Sequence, residues 1–507
     1  MKSVAVLAFT AAFLGSVFLS VGTLKTARSD DFASTSESTA GATGTPTSAM
    51  PGGVDLESEI TNFLNEVRDP AFDSQHCVAL LDRTTSRLSV ATPQDFAPTA
   101  ALQAQYRQSG VRYVHDLFNA KLALRARLSE LANSHALTPQ CVSSSRELFR
   151  VARYLEDLLG EYALNLPRYN AAKKVIPFTG GEPYQLTNSK FGGLKFRSGD
   201  LVMTRGTAFT SAAIARLGNN DASFSHLAMI YVDPKTGRWQ PMEALIETGS
   251  YVANAPAWLN DGKVRAMVFR HRDAQLAARA AQMIHDEITT YQARHGGENI
   301  PYDSNLDVRD SSKLFCSELI SHAFDLATGG AHTVPAYPSM LTPKNPYFLK
   351  RLGVQVTQTF LPMDIEVDPQ FELVSEWRDY SQMSMIHMHD AVIGTVFSWI
   401  DNGKYVFHDG AYTTVKSDLA YNLRRWPLFS TLLKDTVPSS LSADQIALVQ
   451  SLDRTSDLLY TQLAAANEAQ AKKTGQWLTI GQMDDVLERY RRDDWAKNGP
   501  LRQNFSP

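Results

Sequence analysis

Cysteine is scarce in this chain: 507 residues contain three, Cys77, Cys141 and Cys316. Three cysteines exclude a four-cysteine zinc site, and their wide spacing argues against a site that uses all three with a histidine. There is no Lys/Arg-rich block or basic stripe that could neutralise a phosphate backbone; the net charge is −4 with both signs mixed, so nothing calls for nucleic acid as a partner. No internal repeat is visible, no heptad run is sustained, and no segment after the first two dozen residues is apolar and long enough to span a bilayer. What remains is the composition of an ordinary soluble protein, 44% hydrophobic and 20% charged. The length is enough for roughly three domains of ordinary size.

The N-terminus carries Lys2, then an uncharged and largely apolar run from Ser3 to Leu24 with small residues at Ser20-Val21-Gly22. This reads as an export segment over residues 1–28, either a cleaved signal peptide or an uncleaved anchor. No cysteine lies nearby to carry a lipid. Residues 29–53 are rich in Ser, Thr, Ala and Gly and read as a tether, because such a stretch cannot bury enough surface to offset chain entropy. An exported chain meets oxidising conditions, periplasmic or extracellular, where an even pair of cysteines tends to join and an odd one is left reactive. Cys77 and Cys141 fall in one region and are natural disulfide partners, with Cys316 left over. The competing reading makes all three buried, reduced small hydrophobes.

From 54 to 175 apolar residues recur at helical spacing, as in Val114, Leu117, Leu122, Leu124, Leu128 and Leu131, and again from Leu148 through Leu159. The spacing predicts an α-helical region. Near Val175 the pattern changes to short β-branched runs punctuated by Gly and Pro. Leu201-Val202-Met203, Leu227 to Val232, Met242 to Thr248 and Val264 to Arg270 are predicted strands, the second followed by the turn Asp233-Pro234-Lys235-Thr236-Gly237. Long helices are expected at Ala274–Arg294 and from Cys316 to Gly329-Gly330, and a mainly helical region over 378–507, where Ser442 and Gln445 form a capping-box signature. The predicted class is α+β: a domain over 190–377 with helical regions on both sides.

In Phe315-Cys316-Ser317-Glu318-Leu319 the cysteine opens a predicted helix, where free N–H groups and the positive end of the helix dipole favour a thiolate. Thiolate is the nucleophilic form, and the same N–H groups suit an oxyanion. A base is required; His226 opens an apolar strand that would hold its ring. A carboxylate is required to fix the ring's tautomer, and Glu247 or Glu243, which share strand parity, could supply it. His322 is six positions from Cys316, about 240° around the helix, and points elsewhere. His387-Met388-His389-Asp390 is too ordinary a grouping to assign to a metal.

The ordered motifs Gly199-Asp200-Leu201, Phe224-Ser225-His226, Ile246-Glu247-Thr248, Pro301-Tyr302-Asp303 and Phe315 to Leu319 resemble the permuted papain-like cysteine amidases of the YaeF/YiiX type. That group lies within the NlpC/P60 superfamily, which also holds the lecithin:retinol acyltransferases. In the permuted branch the histidine precedes the cysteine, as here. The resemblance spans roughly 190–377 and implies a small β-barrel-like sheet packed on helices. It implies Cys316 as nucleophile, His226 as base and Glu247 as orienting residue, with Thr248 where the family has alanine. Tyr302 and Asp303 would shape the substrate cleft. The expected activity is hydrolysis of an amide or ester in a peptide, lipid or small-molecule substrate through an acyl-enzyme, with no metal or cofactor. Acyl transfer through a thioester, or binding of lipid or peptide without turnover, are the rivals on the same scaffold.

Overall fold

The computed structural model describes residues 55–89, 99–164, 185–187, 194–218, 223–331, 333–341, 346–408 and 440–507. The expected export segment, the tether and the stretch 165–175 lie outside the described residues.

Four helices open the chain: α1 (Leu56–Arg68), α2 (Ser74–Ser89), α3 (Ala100–Asn133) and α4 (Pro139–Ala163). Side chains of Asp55, Thr99 and Thr138 cap three of them, and Pro139 at the first turn of α4 costs nothing because its missing N–H would have been unpaired. Cys77 of α2 and Cys141 of α4 form a disulfide with Cα atoms 5.6 Å apart. Every residue of α4 from Val151 to Tyr162 is buried, too many for a helix with one wet face. It is packed on one side by α3 and on the other by the sheet that follows.

That sheet has seven strands: β1 (Gln185–Thr187), β2 (Leu201–Gly206), β3 (His226–Val232), β4 (Trp239–Leu245), β5 (Gly249–Val252), β6 (Lys263–His271) and, much later, β9 (Phe371–Arg378). The order is β1-β9-β6-β2-β3-β4-β5. All neighbours are antiparallel except β1 with β9. Between strands lie α5 (Phe209–Ile214), α6 (Ala255–Asn260), α7 (Ala274–Arg294), α8 (Cys316–Thr328), α9 (Pro346–Arg351) and α10 (Asp364–Val367), with a two-strand ladder of β7 (Ser339–Met340) and β8 (Gln358–Thr359). After β9 come α11 (Met383–Gly403), β10 (Val406–Phe407), α12 (Ala443–Thr474), α13 (Ile480–Ala496), α14 (Pro500–Asn504) and β11 (Phe505–Ser506). Ser442 and Gln445 form the capping box expected at the start of α12.

The sheet is covered on both faces, which explains why its strands are so uniformly apolar. Leu201, Met203, Leu227, Met229, Met242, Met267 and Phe269 join the large core that includes α7 and α8. The alternate residues Val202, Ala228, Ile230, Ala266, Val268 and Val374 pack in a second layer with Trp258 and Trp377. The Gly199-Asp200 motif is structural. Gly199 has φ +88°, and a Cβ there would meet Ala277 at 2.5 Å, while Asp200 takes both Nε and Nη2 of Arg270 at 2.8 Å.

The α+β class is what the structure has, with an antiparallel sheet as its centre. The three expected regions, however, do not stand apart: the described residues belong to one compact unit. A belt of buried ion pairs joins the N-terminal helices to the sheet. Lys121 of α3 binds Glu156 of α4 and Glu376 of β9; Arg378 of β9 reaches Glu156, Asp157 and Glu376; and Arg265 of β6 reaches Asp157. Strand β4 also corrects the expectation of Met242 to Thr248. It runs three residues earlier, and 246–248 form the turn into β5, closed by the Thr248 N–H donating to the Leu245 carbonyl at 3.1 Å.

Candidate active site

Helix α8 begins at Cys316, and its N-cap, Phe315, is in extended conformation with no side chain to accept a backbone proton. Glu318 supplies half of a capping box, its Oε2 accepting from the Phe315 N–H at 3.2 Å. The other Glu318 oxygen is buried with no hydrogen-bond partner among the described residues, and burial raises this carboxyl to about 9. A neutral acid at this position spares the helix start a negative charge that would oppose a thiolate. Cys316 is buried and is the free thiol left after the disulfide has used the other two cysteines.

His226 is the first residue of β3, and its ring lies within interaction range of the Cys316 side chain. Its Nε2 lies 2.8 Å from Oε2 of Glu243, which leaves Nδ1 for the thiol. The register explains the meeting with Glu243. Met229 pairs with Met242, so Glu243 stands opposite Ala228, diagonal to His226 and on the same face. Two further donors close on the carboxylate: Tyr251 Oη reaches Oε1 and Trp258 Nε1 reaches Oε2, both at 2.8 Å.

The electrostatics of the three groups are interlocked. Burial alone would push the Cys316 thiol up, but the hydrogen bond and charge of His226, the Leu227 N–H and the Ser317 hydroxyl outweigh it and hold the thiol below its ordinary value. Burial likewise opposes charge on His226, yet its hydrogen bonds to Cys316 and Glu243 raise it to about 10. Glu243 would also rise by burial; His226, Trp258 and Tyr251 lower it to about 2. Imidazolium and carboxylate are therefore the favoured forms of His226 and Glu243 at neutral pH, and the pair shifts Cys316 toward the thiolate.

Glu247, expected as the orienting residue, is exposed in the β4–β5 turn, and Glu243 holds the histidine instead. The cause is the three-residue offset of β4: Glu243 and Glu247 have the same parity, but the strand ends at Leu245, before Glu247 is reached. Tyr302 is buried within electrostatic range of Cys316, and burial first, then that thiol, push its phenol far up. Its loop is anchored at both ends. The Ser250 N–H donates to the Ile300 carbonyl at 2.8 Å and the Leu314 N–H to the Pro301 carbonyl at 3.0 Å. Gly249 permits the first contact: its φ is +78°, and a Cβ would fall 2.2 Å from that Ile300 oxygen. Asp303 turns inward, accepting from the N–H groups of Asn305 and Asp307, so its carboxylate shapes the loop and is not offered to a substrate.

The remaining candidates sit elsewhere. His322 pairs with Glu287 of α7 at 3.0 Å. On α11, His387 contacts Asp157, His389 lies between the rings of Phe209 and Tyr460, and Asp390 takes Arg205 and Arg216, so the three serve different neighbours. Tyr251, Trp258 and the Leu227 N–H were not foreseen. The only trace in the sequence is a pair of aromatic residues with polar tips just beyond the strand that carries the carboxylate. No family model, no curated protein and no solved structure matches the chain.

Proposed function

We propose that the protein is a cysteine hydrolase that cleaves an amide or ester through an acyl-enzyme, on a scaffold of the permuted papain-like kind. The observation that carries this is His226 held between a fully clamped carboxylate and a thiol at a helix start. The thiolate of Cys316 attacks the carbonyl carbon, and the developing oxyanion is met by the free N–H groups of the first turn of α8. Imidazolium His226 gives its proton to the departing amine or alcohol as the carbon–heteroatom bond breaks, leaving a thioester and a neutral imidazole. Water then gives a proton to His226 and adds to the thioester, and the acid departs as thiolate and imidazolium re-form. Glu243 keeps the ring in the tautomer that serves both steps.

The permuted order of the motifs, histidine on a strand before cysteine on a helix, supports the choice of scaffold. The disulfide between Cys77 and Cys141 supports an exported protein, because such bonds persist in oxidising compartments. Tyr302, buried within electrostatic range of the thiol, is assigned to shaping the cleft.

Trapping tests the reading. An activated acyl ester mixed with the full chain should add one acyl group, mapped by peptide mass spectrometry to Cys316, and Cys316→Ala should neither label nor hydrolyse while unfolding at the parent's temperature. Equal labelling of the variant would refute the assignment.

A further inference from the structure

Glu243 differs from Glu156, Asp157, Asp200 and Glu376, which are held by arginine or lysine, in that its donors other than His226 are an indole and a phenol. Trp258 is itself fixed. Lys263 of β6 places its Nζ 4.2 Å from the Trp258 ring centroid and donates to the Trp258 carbonyl at 2.8 Å. A cation over an indole face draws density from the ring and strengthens its N–H as a donor. The result is a row of alternating charge, Lys263, Glu243, His226 and Cys316, with Trp258 as the link between the first two.

We infer that Trp258, seated by Lys263, and Tyr251 are positioning residues that hold the Glu243 carboxylate ionised and aimed at His226, and so set the pH range in which Cys316 is a thiolate. Neither touches the reacting atoms. The argument is one of competition for a proton. A buried carboxylate beside an imidazolium will take the proton back unless other donors stabilise its charge, and a proton on Glu243 leaves a neutral histidine that no longer favours the thiolate. Aromatic donors suit the task better than arginines would, because they stabilise the carboxylate without adding a full positive charge next to the imidazolium. The titratable and charged groups facing the clamp are His226 from β3, Tyr251 from β5, Lys263 from β6 and Cys316 from α8, with Asp261, Glu247 and Tyr302 at its edge.

This inference rests on Cys316 and His226 acting as proposed above, and the test separates the two. In the full chain, the rate of Cys316 alkylation by iodoacetamide is followed against pH for the parent, Trp258→Phe, Tyr251→Phe and Lys263→Met. Trp258→Phe keeps an aromatic ring and loses the donor; Tyr251→Phe loses only a hydroxyl from a half-buried side chain and guards against a folding defect in the first. The acid limb should rise by about one pH unit in each of the two aromatic variants, so that alkylation between the limbs slows up to about tenfold. A smaller rise in the same direction is expected for Lys263→Met. Limbs at the parent's position in both aromatic variants, whatever the change in amplitude or unfolding temperature, would show that the clamp is packing only and overturn the inference. A parent that alkylates as an ordinary thiol with a limb near about 8.5 would instead overturn the catalytic reading itself.

Discussion

Of the histidines that pair with carboxylates, His387 and His226 live in opposite circumstances. His387 approaches Asp157 at 3.1 Å, but that carboxylate is already held by Arg265 and Arg378, and the His387 ring leans on Tyr154. His226 faces a carboxylate with no arginine on it and has its second nitrogen free for a thiol. A carboxylate partner is common to both. What differs is whether the histidine is the strongest cation on its carboxylate, and what lies beyond the ring. Each charge in the belt around Asp157 has an opposite partner, and the belt joins helices to sheet; the row ending at Cys316 stops at a thiol.

The two networks also touch. Phe224, two residues before His226, is buried with the guanidinium groups of Arg153 and Arg265 at 5.4 and 5.8 Å from its ring. Arg265 of the belt thus braces the segment from which β3 starts, with an aromatic ring as spacer.

Substitutions can break this contrast or sharpen it. The largest effect is expected for His226→Ala, a loss of kcat/KM on the order of 10⁵–10⁶-fold, because base and thiolate are lost together. Glu243→Gln keeps shape but offers the ring the wrong tautomer and no charge, for a loss of about 10²–10⁴-fold. Glu247→Gln should remain within about twofold of the parent, since that side chain lies in an exposed turn. Comparable losses in the two would restore Glu247 as the orienting residue. In the belt the readout changes from turnover to stability: Asp157→Asn takes the carboxylate from buried Arg265 and one of three from Arg378, and should cost about 3–5 kcal/mol in denaturant unfolding, with kcat/KM of the folded fraction nearly that of the parent. His387→Ala is the mildest, about 1–3 kcal/mol of stability. If it lowered turnover as His226→Ala does, the contrast between the histidines would fail.

The pH dependence of stability divides along the same line. A histidine raised to about 10 stabilises the fold fully below its unfolded value near 6.5 and loses that contribution as pH climbs through 10. Glu243, lowered to about 2, contributes above its unfolded value near 4.3 and loses the contribution as pH falls toward 2. The His226–Glu243 pair therefore supports the fold best between about pH 4.3 and 6.5, and weakens on either side.

Much of this was legible in the chain. The helix over Ala274–Arg294 and the one from Cys316 to Gly329 follow directly from period 3.6 and a glycine stop; Gly329 ends the latter at φ 64°. Cys316 and His226 stood out as candidates because each sits at the end of an element, where local pattern is strongest. Glu243 was visible only as one of two residues of equal parity, since parity says which face a side chain takes but not where the strand stops; the positive φ of Gly249 and its approach to Ile300 set that stop, and neither is local to the strand. Strand β9 and its Glu376 and Arg378 were not anticipated. A strand that carries buried charge breaks the apolar alternation by which strands are recognised, and its partners Lys121 and Glu156 are more than 200 residues away. The separateness of the helical regions was misjudged for the same reason.

The central claim is that Cys316 is a thiolate at neutral pH because His226 makes it so. With the other two cysteines joined, iodoacetamide has one free thiol to find. Its rate of reaction with Cys316 should already be at its plateau at neutral pH, with an acid limb well below the usual thiol value, and should change again near pH 10 as His226 loses its proton. In His226→Ala the limb should return to about 8.5 or above. A parent and a variant with the same limb would contradict the account.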